Sequence, residues 1–220
     1  TAMGGPLFVA GKVGQAISFD GTDDYVTITG YKGILADASG VQQPFTITAW
    51  VKTIDSGDRT IASWGTNSSM RRVDFRLYQG RLRVEHGAGN VQGDTTLNDN
   101  SWHHVALTVI RGATISYPAV QLWLDGKDNT RASTDPDAFS IRASVDMAIG
   151  YRATAAGRYF LGAIDDVRLY DRALSPGEVA WLAGITAPFS EPWDLNLDSA
   201  VNLKDYAVLV DSWLEELLWP

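Results

Sequence analysis

The segment from Asp194 to Asp205 carries side chains that could bind a cation. Oxygen-bearing side chains stand at every second residue of its first half, and an Asp occupies its twelfth position. Calcium takes six to eight oxygen ligands, and EF-hand loops supply them from positions 1, 3, 5, 7, 9 and 12. The spacing therefore predicts a structural Ca²⁺ bound by Asp194, Asn196, Asp198, Ala200 (through its carbonyl), Asn202 and Asp205.

One feature of this segment argues against a bound ion. Ser199 stands at the sixth position, where a Gly usually permits the sharp turn, and positive φ is unfavourable for a non-Gly residue. An Asp-rich linker that caps a helix without metal is therefore the alternative. The apolar residues that follow recur every three to four positions and predict an amphipathic helix, which the ion would fasten: Leu203, Ala207, Val210, Leu214 and Leu217.

Composition excludes several classes of function. The 220 residues carry a net charge of -8, so the basic surface expected of a nucleic-acid-binding protein is absent. There are no Cys residues, which excludes disulfides, thiolate zinc sites and Cys nucleophiles. No run of 18 apolar residues occurs, so the sequence predicts no membrane insertion.

The elements between residues 15 and 170 are predicted to be short strands. Phe45–Val51 alternates apolar and polar side chains, and Val73–Leu77 faces Leu82–Val84 across a turn at Gln79 and Gly80. This pattern, without intervening helices, predicts an antiparallel β-sandwich or jelly roll.

The end of the β-rich region carries a helix-start motif. Ser175 is a suitable N-cap, Pro176 suits the first helical position, and Glu178 completes a capping box. The helix is predicted to run to about Ala183. We therefore divide the chain into a β-domain over 1–183, a linker over 184–193 and a calcium loop with its helix over 194–220.

Five segments of the β-domain, in order, resemble the concanavalin A-like, laminin-G-like (LamG) domains. They are Gly11–Gly21, Phe45–Val51, Trp102–Ala106, Leu122–Gly126 and Gly162–Ser175. The resemblance implies two antiparallel sheets in a jelly roll. Members of this family are mostly non-catalytic modules of secreted and cell-surface proteins, and many bind carbohydrate or another protein. The resemblance therefore implies such a module here.

The same resemblance implies a further structural calcium where the first strand of the domain meets the last. Asp20 and Asp165 lie in the matching motifs, and both follow apolar strand residues. The alternative is that Asp20 caps the turn before Gly21 and that Asp165 accepts hydrogen bonds from neighbouring backbone.

The segment 194–209 resembles one calcium-binding repeat of a type I dockerin. Dockerins carry two such repeats and bind a cohesin partner. One repeat is present here, which argues against cohesin binding and leaves the appendage as an EF-hand-like helical addition to the β-domain.

Two loops combine aromatic and Arg side chains, as a sugar-binding surface requires. The first contains Trp64, Arg71 and Arg72, although Trp64 follows Ile61–Ser63 and could instead pack inward. The second contains Tyr151, Arg152, Arg158 and Tyr159. Such basic loops on an acidic chain would suit an acidic polysaccharide.

Catalytic residues are not apparent in the sequence. Glycoside hydrolysis needs two carboxyl groups on either side of the scissile bond. Glu85 is the one Glu on a predicted strand, and its same-face neighbours in sequence, Arg83 and Gly87, are not acidic. The sequence therefore predicts a non-catalytic carbohydrate-binding module. The alternative is a protein-interaction or surface-scaffold domain, and a glycoside hydrolase is the remote alternative.

Overall fold

The computed structural model describes residues 1–87, 89–131, 134–155 and 157–185. These residues form sixteen strands and one helix. The elements are β1 Ala2–Met3, β2 Leu7–Ala10, β3 Gln15–Asp20, β4 Tyr25–Thr27, β5 Phe45–Lys52, β6 Arg59–Gly65, β7 Arg72–Tyr78, β8 Arg81–Glu85, β9 Asn90–Thr96, β10 His103–Val109, β11 Thr114–Ser116, β12 Val120–Leu124, β13 Lys127–Asp128, β14 Thr134–Ala138, β15 Val145–Ile149, β16 Leu161–Tyr170 and α1 Pro176–Leu182.

Two seven-stranded sheets make up the fold. The front sheet has the order β1-β4-β15-β6-β7-β8-β9, and the back sheet has the order β13-β12-β10-β5-β16-β3-β2. Neighbouring strands run antiparallel, and β11 pairs with β14 in a separate ribbon. Several neighbours are far apart in sequence, which is the arrangement of a jelly roll. The predicted all-β sandwich is therefore confirmed.

Alternation along the strands decides which side chains enter the core. In β7, Val73, Phe75 and Leu77 are fully buried in the core, whereas the residues between them point away from it. A two-residue turn joins β7 to β8, and its residues Gln79 and Gly80 have φ of 54° and 71°. Positive φ at both central positions matches the twist of a hairpin. The predicted hairpin is confirmed, with Leu77 opposite Leu82.

Helix α1 begins as its sequence predicts. Ser175 is the N-cap, and the reciprocal hydrogen bonds with Glu178 complete the capping box. The helix packs on the outer side of the back sheet, where Val179 and Leu174 join Ala106 and Trp123 in a second apolar cluster.

The predicted linker beyond residue 185 and the calcium loop with its helix lie outside the described residues. In the part of the chain that the structure describes, no helix is long and apolar enough to cross a membrane.

Candidate functional site

Three tyrosines gather on the outer face of the front sheet, the face turned away from the core. Tyr151 and Tyr159 are stacked with their ring centroids 4.9 Å apart, and Tyr25 lies 4.7 Å from Tyr151. All three side chains are half-buried. Burial raises the pKa of Tyr151, and the neighbouring Tyr159 raises it further. We call these residues the tyrosine cluster.

The loop between β15 and β16 positions two of the three tyrosines. Gly150 starts it with φ of 78°, and a Cβ there would approach the ring of Phe19 to 2.6 Å. Only a glycine fits at this point. At the other end, Arg158 has φ of 57°, and its carbonyl accepts a hydrogen bond from Thr60. The loop is thus tied to β3 and β6, and it lies over the front sheet.

A charged network lies beside the tyrosine cluster on the same face. Its members come from β7, β8, the loop before β6 and the loop that holds the tyrosines. They are Arg72, Arg76, Arg83, Arg152 and Arg158 with Asp58, Asp74 and Glu85.

Asp74 is the buried centre of the charged network. Its Oδ2 lies 2.5 Å from Nη1 of Arg158 and 3.5 Å from Nε of Arg152, and its Oδ1 accepts a hydrogen bond from Thr60 at 2.9 Å. The side chain has no exposed area. Burial raises the pKa of Asp74, and the nearby arginines offset this only in part.

Glu85 and Asp58 hold the remaining arginines. Oε1 of Glu85 accepts a hydrogen bond from Arg72 at 3.0 Å, and Oε2 pairs with Arg76. Asp58 pairs with Arg76 and lies 2.8 Å from Nε of Arg158. Burial raises the pKa of Glu85, but the arginines outweigh it and the pKa is lowered overall. Glu85 therefore stays ionised.

Two arginines of the charged network are less well paired. Arg83 comes no closer than 4.0 Å to Glu85, and its guanidinium lies 4.8 Å from the ring centroid of Tyr78. Burial lowers the pKa of Arg83, and Arg76 lowers it further. Burial likewise lowers the pKa of Arg152, with a second contribution from Arg158. At both guanidinium groups, burial and the neighbouring arginine therefore outweigh the nearby carboxylates.

Comparison with known families places the chain. A family model described as the concanavalin A-like lectin/glucanases superfamily (Laminin_G_3) matches residues 20–180. The chain belongs to this superfamily. A comparison with curated proteins finds no match.

Solved structures share the fold of this laminin-G-type domain at low identity. Domain 4 of AbnA, an extracellular arabinanase from Geobacillus stearothermophilus in complex with arabinotriose, is 22% identical with a TM-score of 0.59, and the match covers 82% of each chain. The CBM40 of a Ruminococcus gnavus sialidase, bound to sialyllactose, is 14% identical with a TM-score of 0.54, covering 77% of this chain and 95% of that one. A pentraxin from Limulus polyphemus is 15% identical with a TM-score of 0.51, covering 76% and 81%.

The laminin-G-type domain brings together some predicted ligand residues and separates others. Tyr151, Arg152, Arg158, Tyr159 and Arg72 lie on one face, as described above. Arg71 is exposed beside Arg72 and takes no part in the charged network.

Trp64 is not available to a ligand. It is fully buried in the core, and its indole N–H donates to the carbonyl of Ile34 at 3.1 Å. The prediction that Trp64 contacts a ligand is therefore wrong, and its alternative as a core residue is correct. In β6 it follows Ala62 by two positions, so it shares the inward face.

Glu85 has an acidic neighbour that sequence spacing did not show. It lies opposite Asp74 in the β7–β8 pair, so two carboxylates stand side by side on the outer face. The neighbours in sequence, Arg83 and Gly87, do not reveal this cross-strand partner. Both groups are engaged with arginines, however, and Asp74 has no exposed area with which to reach a glycosidic oxygen.

The two aspartates predicted to share an ion are not brought together. Asp20 lies opposite Leu161, whereas Asp165 follows Ile164, which lies opposite Ile17. They are thus about four residue steps apart along the strands, or roughly 13 Å.

The carboxylates of Asp165 and Asp20 accept backbone hydrogen bonds. Asp165 accepts from Val13 at 2.8 Å and Asp166 at 2.7 Å, and Asp20 accepts from Thr22 at 2.7 Å. The hydrogen bond from Thr22 is the main cause of the lowered pKa of Asp20.

A different acidic group surrounds Asp20. One carboxylate oxygen from each of Asp20, Asp23 and Asp24 lies within 4.8 Å of the others. The backbone N–H of Asp20 donates to Asp24 at 3.0 Å, so a tight turn accounts for part of this arrangement. The predicted calcium ligands Asp194, Asn196, Asp198, Ala200, Asn202 and Asp205 lie outside the described residues.

The charged network contains residues that sequence reasoning missed. Asp74, Arg76 and Arg83 could have been found from the hairpin, because a turn at Gln79 and Gly80 fixes which residues of β7 and β8 face each other. Tyr25 could not have been found in this way. It reaches the cluster through the pairing of β4 with β15, which are far apart in sequence.

Proposed function

We propose that this protein is a non-catalytic carbohydrate-binding module of a secreted or cell-surface protein. The ligand would bind on the outer face of the front sheet. The observation that carries the proposal is the tyrosine cluster, in which Tyr151 and Tyr159 stack and Tyr25 packs against them. The loop that holds Tyr151 and Tyr159 also carries Arg152 and Arg158.

The chemistry of this face suits a sugar. An aromatic ring offers an apolar surface against which the C–H groups of a sugar ring can pack, and its hydroxyl can hydrogen-bond. Arg152 and Arg158 stand next to Tyr151 and Tyr159 in the chain, so they add donors at the edge of the platform. Ligand sites commonly combine an apolar surface with a few fixed polar groups. The superfamily and the sugar-bound solved structures of the same fold support this proposal.

A panel of polysaccharides and glycans tests the proposal, with affinities measured by calorimetry on the full chain. We expect saturable binding to at least one glycan. Tyr151→Ala and Tyr159→Ala should each weaken it at least about tenfold, equivalent to about 1.4 kcal/mol. Tyr31→Ala is the matched control, since Tyr31 is an exposed tyrosine outside the cluster, and its affinity should equal that of the unchanged protein.

A groove lined by aromatic residues elsewhere on the molecule is an alternative sugar site, and the same experiment can tell the two sites apart. Trp181, which is 66% exposed, lies with Trp50 and Lys12 beside a cavity of about 350 Å³ on the other side of the molecule. Glycan binding that survives Tyr151→Ala but is lost in Trp181→Ala would refute the proposed location. A panel without any binding would refute carbohydrate binding for the glycans used and favour the protein-interaction alternative.

We also propose that the segment 194–205 binds one structural Ca²⁺. The support is the sequence of that segment, whose oxygen donors stand at the EF-hand positions. Calcium titration of the full chain should show one site fewer after the double substitution Asp194→Ala and Asp198→Ala. Unchanged stoichiometry would contradict the proposal. Repeating the glycan measurements with a chelator tells whether calcium affects the sugar site or only the appendage.

A further inference from the structure

We propose that the charged network binds the carboxylate of an acidic sugar, so that the ligand is a glycan containing uronate or sialate residues. This inference rests on the proposed function, because it assigns the ligand class of the same face. Its first support is a charge imbalance. Within the network, five arginines face three carboxylates, although the protein as a whole carries a net charge of -8.

Part of the imbalance lies where a ligand can reach. Asp74 and Arg76 lie beneath the surface, with 0% and 2% of their side chains exposed. Arg83, Arg152 and Arg158 remain 16–24% exposed. Two carboxylates are accessible as well, Asp58 at 31% and Glu85 at 17%, so three arginines face two carboxylates in the accessible part of the network. Arg83 and Arg152 are the arginines whose nearest carboxylate oxygens lie farthest away, at 4.0 and 3.5 Å.

Buried polar atoms without a hydrogen-bond partner among the described residues give independent support. They include the hydroxyls of Ser63 and Thr154 and the Nε atoms of four network arginines, Arg72, Arg76, Arg83 and Arg152. Buried polar groups in folded proteins are nearly always paired, so each exception calls for a partner such as a water, an ion or a ligand. Ser63 lies opposite Asp74 in the β6–β7 pair, so its hydroxyl belongs to the same face.

The shape of the ligand group follows from the shape of the donors. A guanidinium presents two parallel N–H groups in one plane, and these match the two oxygens of a carboxylate. Tyr151 precedes Arg152 and Tyr159 follows Arg158, so one loop offers both the ring platform and the cationic groups. A sugar packed on the rings would place an attached carboxylate over the arginines.

The test compares each acidic glycan with its own methyl ester. The probes are oligosaccharides of galacturonate, glucuronate and sialate, and esterification removes the charge while leaving the rest of the sugar intact. We expect at least one acid to bind on the order of tenfold or more tightly than its ester. The advantage should shrink as NaCl is raised, because salt screens charge interactions.

Substitutions then locate the effect. Arg152→Gln and Arg83→Gln should each reduce the preference for acid over ester, whereas Arg111→Gln should not. Arg111 is an exposed arginine paired with Asp37, outside the network. Thermal melts of each variant report folding, and the acid–ester comparison on the unchanged protein does not depend on any variant.

The possible results separate this inference from the proposed function. Equal binding of acids and esters, or binding of neutral glycans only, would overturn the inference and leave carbohydrate binding intact. A preference for acids that is unaffected by Arg152→Gln and Arg83→Gln would place the carboxylate elsewhere and also overturn it. No binding to any glycan would overturn both.

Discussion

The outer faces of the two sheets are each covered by another part of the chain, but the covered side chains are apolar on one sheet and charged on the other. On the back sheet, helix α1 covers apolar side chains, and Trp123 lies 3% exposed beneath Val179 and Leu174. On the front sheet, the corresponding covering is the loop from 150 to 160, and what it covers is charged: Asp74 and Arg76.

This difference separates stability from recognition. An apolar face covered by a helix is stabilised by burial and exposes little for a ligand to contact. A buried ion network contributes little net stability, because removing charges from water offsets most of their attraction. Under the proposed function the charged face serves binding, and we therefore expect substitutions on the two faces to separate stability from binding.

The largest expected effect on stability comes from a substitution on the outer face of the back sheet, beneath α1, which we call the covered face. Trp123→Ala removes a buried indole, together with its hydrogen bond to Thr108 at 3.0 Å. We expect the free energy of unfolding, measured with urea, to fall by about 3–5 kcal/mol. Trp181→Ala, on the exposed side of α1, should change it by less than about 0.5 kcal/mol.

Glycan affinity of the same variants shows whether the two faces act separately. Under conditions in which Trp123→Ala is folded, it should bind glycan as the unchanged protein does, whereas Tyr151→Ala should lose affinity with a smaller loss of stability. If Trp123→Ala cannot be obtained folded, Trp123→Phe provides a milder form. Loss of glycan affinity in a folded Trp123 variant would contradict the separation of the two faces.

The covered face could be predicted from sequence more fully than the charged one. The capping box from Ser175 to Glu178 is a local pattern, and α1 begins where it predicts. Strand alternation is also local: Phe45–Val51 is predicted as a strand, and β5 spans Phe45–Lys52. The tyrosine cluster required Tyr25 to meet Tyr151, and only the order of strands in the sheet brings them together.

Strand register explains why some site residues could be predicted from the sequence and others could not. Asp20 and Asp165 occupy neighbouring strands, but which residues face each other decides whether carboxylates meet, and single-strand patterns do not contain that information. The opposite case is Asp74 and Glu85, where a turn fixed the register and the pair was predictable. Trp64 shows a third limit, because an aromatic residue at the end of a strand fits either a core or a platform until its face is known.

Acid should weaken the outer face of the back sheet through a buried histidine. His104 lies on the outer side of the back sheet, 2% exposed, and burial lowers its pKa from 6.5 to about 4. Its neutral form is favoured in the folded state, so the stability it contributes is complete above pH 6.5 and is lost as the pH falls towards 4. The loss should reach about 3 kcal/mol by urea unfolding. The groups that face it are Asp125, Asp166 and Arg168.

Two substitutions test this origin of the pH dependence. His104→Phe should flatten the stability profile between pH 6.5 and 4, since the aromatic contact with Trp50 can persist without a titrating group. His103→Gln should act with the opposite sign. Burial lowers the pKa of His103, but Asp125 and Asp99 outweigh burial, so the pKa is raised overall. The stability that His103 contributes is therefore present below pH 6.5 and is lost as the pH rises. A profile unchanged by His104→Phe would show that another group causes the acid loss.

The smallest expected effect on stability comes from the N-cap of α1, at the edge of the covered face. The hydroxyl of Ser175 accepts a hydrogen bond from the backbone N–H of Glu178, and Arg172 holds the Glu178 carboxylate, whose pKa is lowered to about 2 chiefly by that contact. Ser175→Ala should lower the free energy of unfolding by about 1 kcal/mol, whereas Ser175→Asp should retain most of it because Asp is also a favourable N-cap. Glycan affinity should stay the same in both variants, since α1 lies across the sandwich from the tyrosine cluster. A stability loss as large as that of Trp123→Ala would mean that the cap, and not the apolar contact beneath the helix, holds the covered face together.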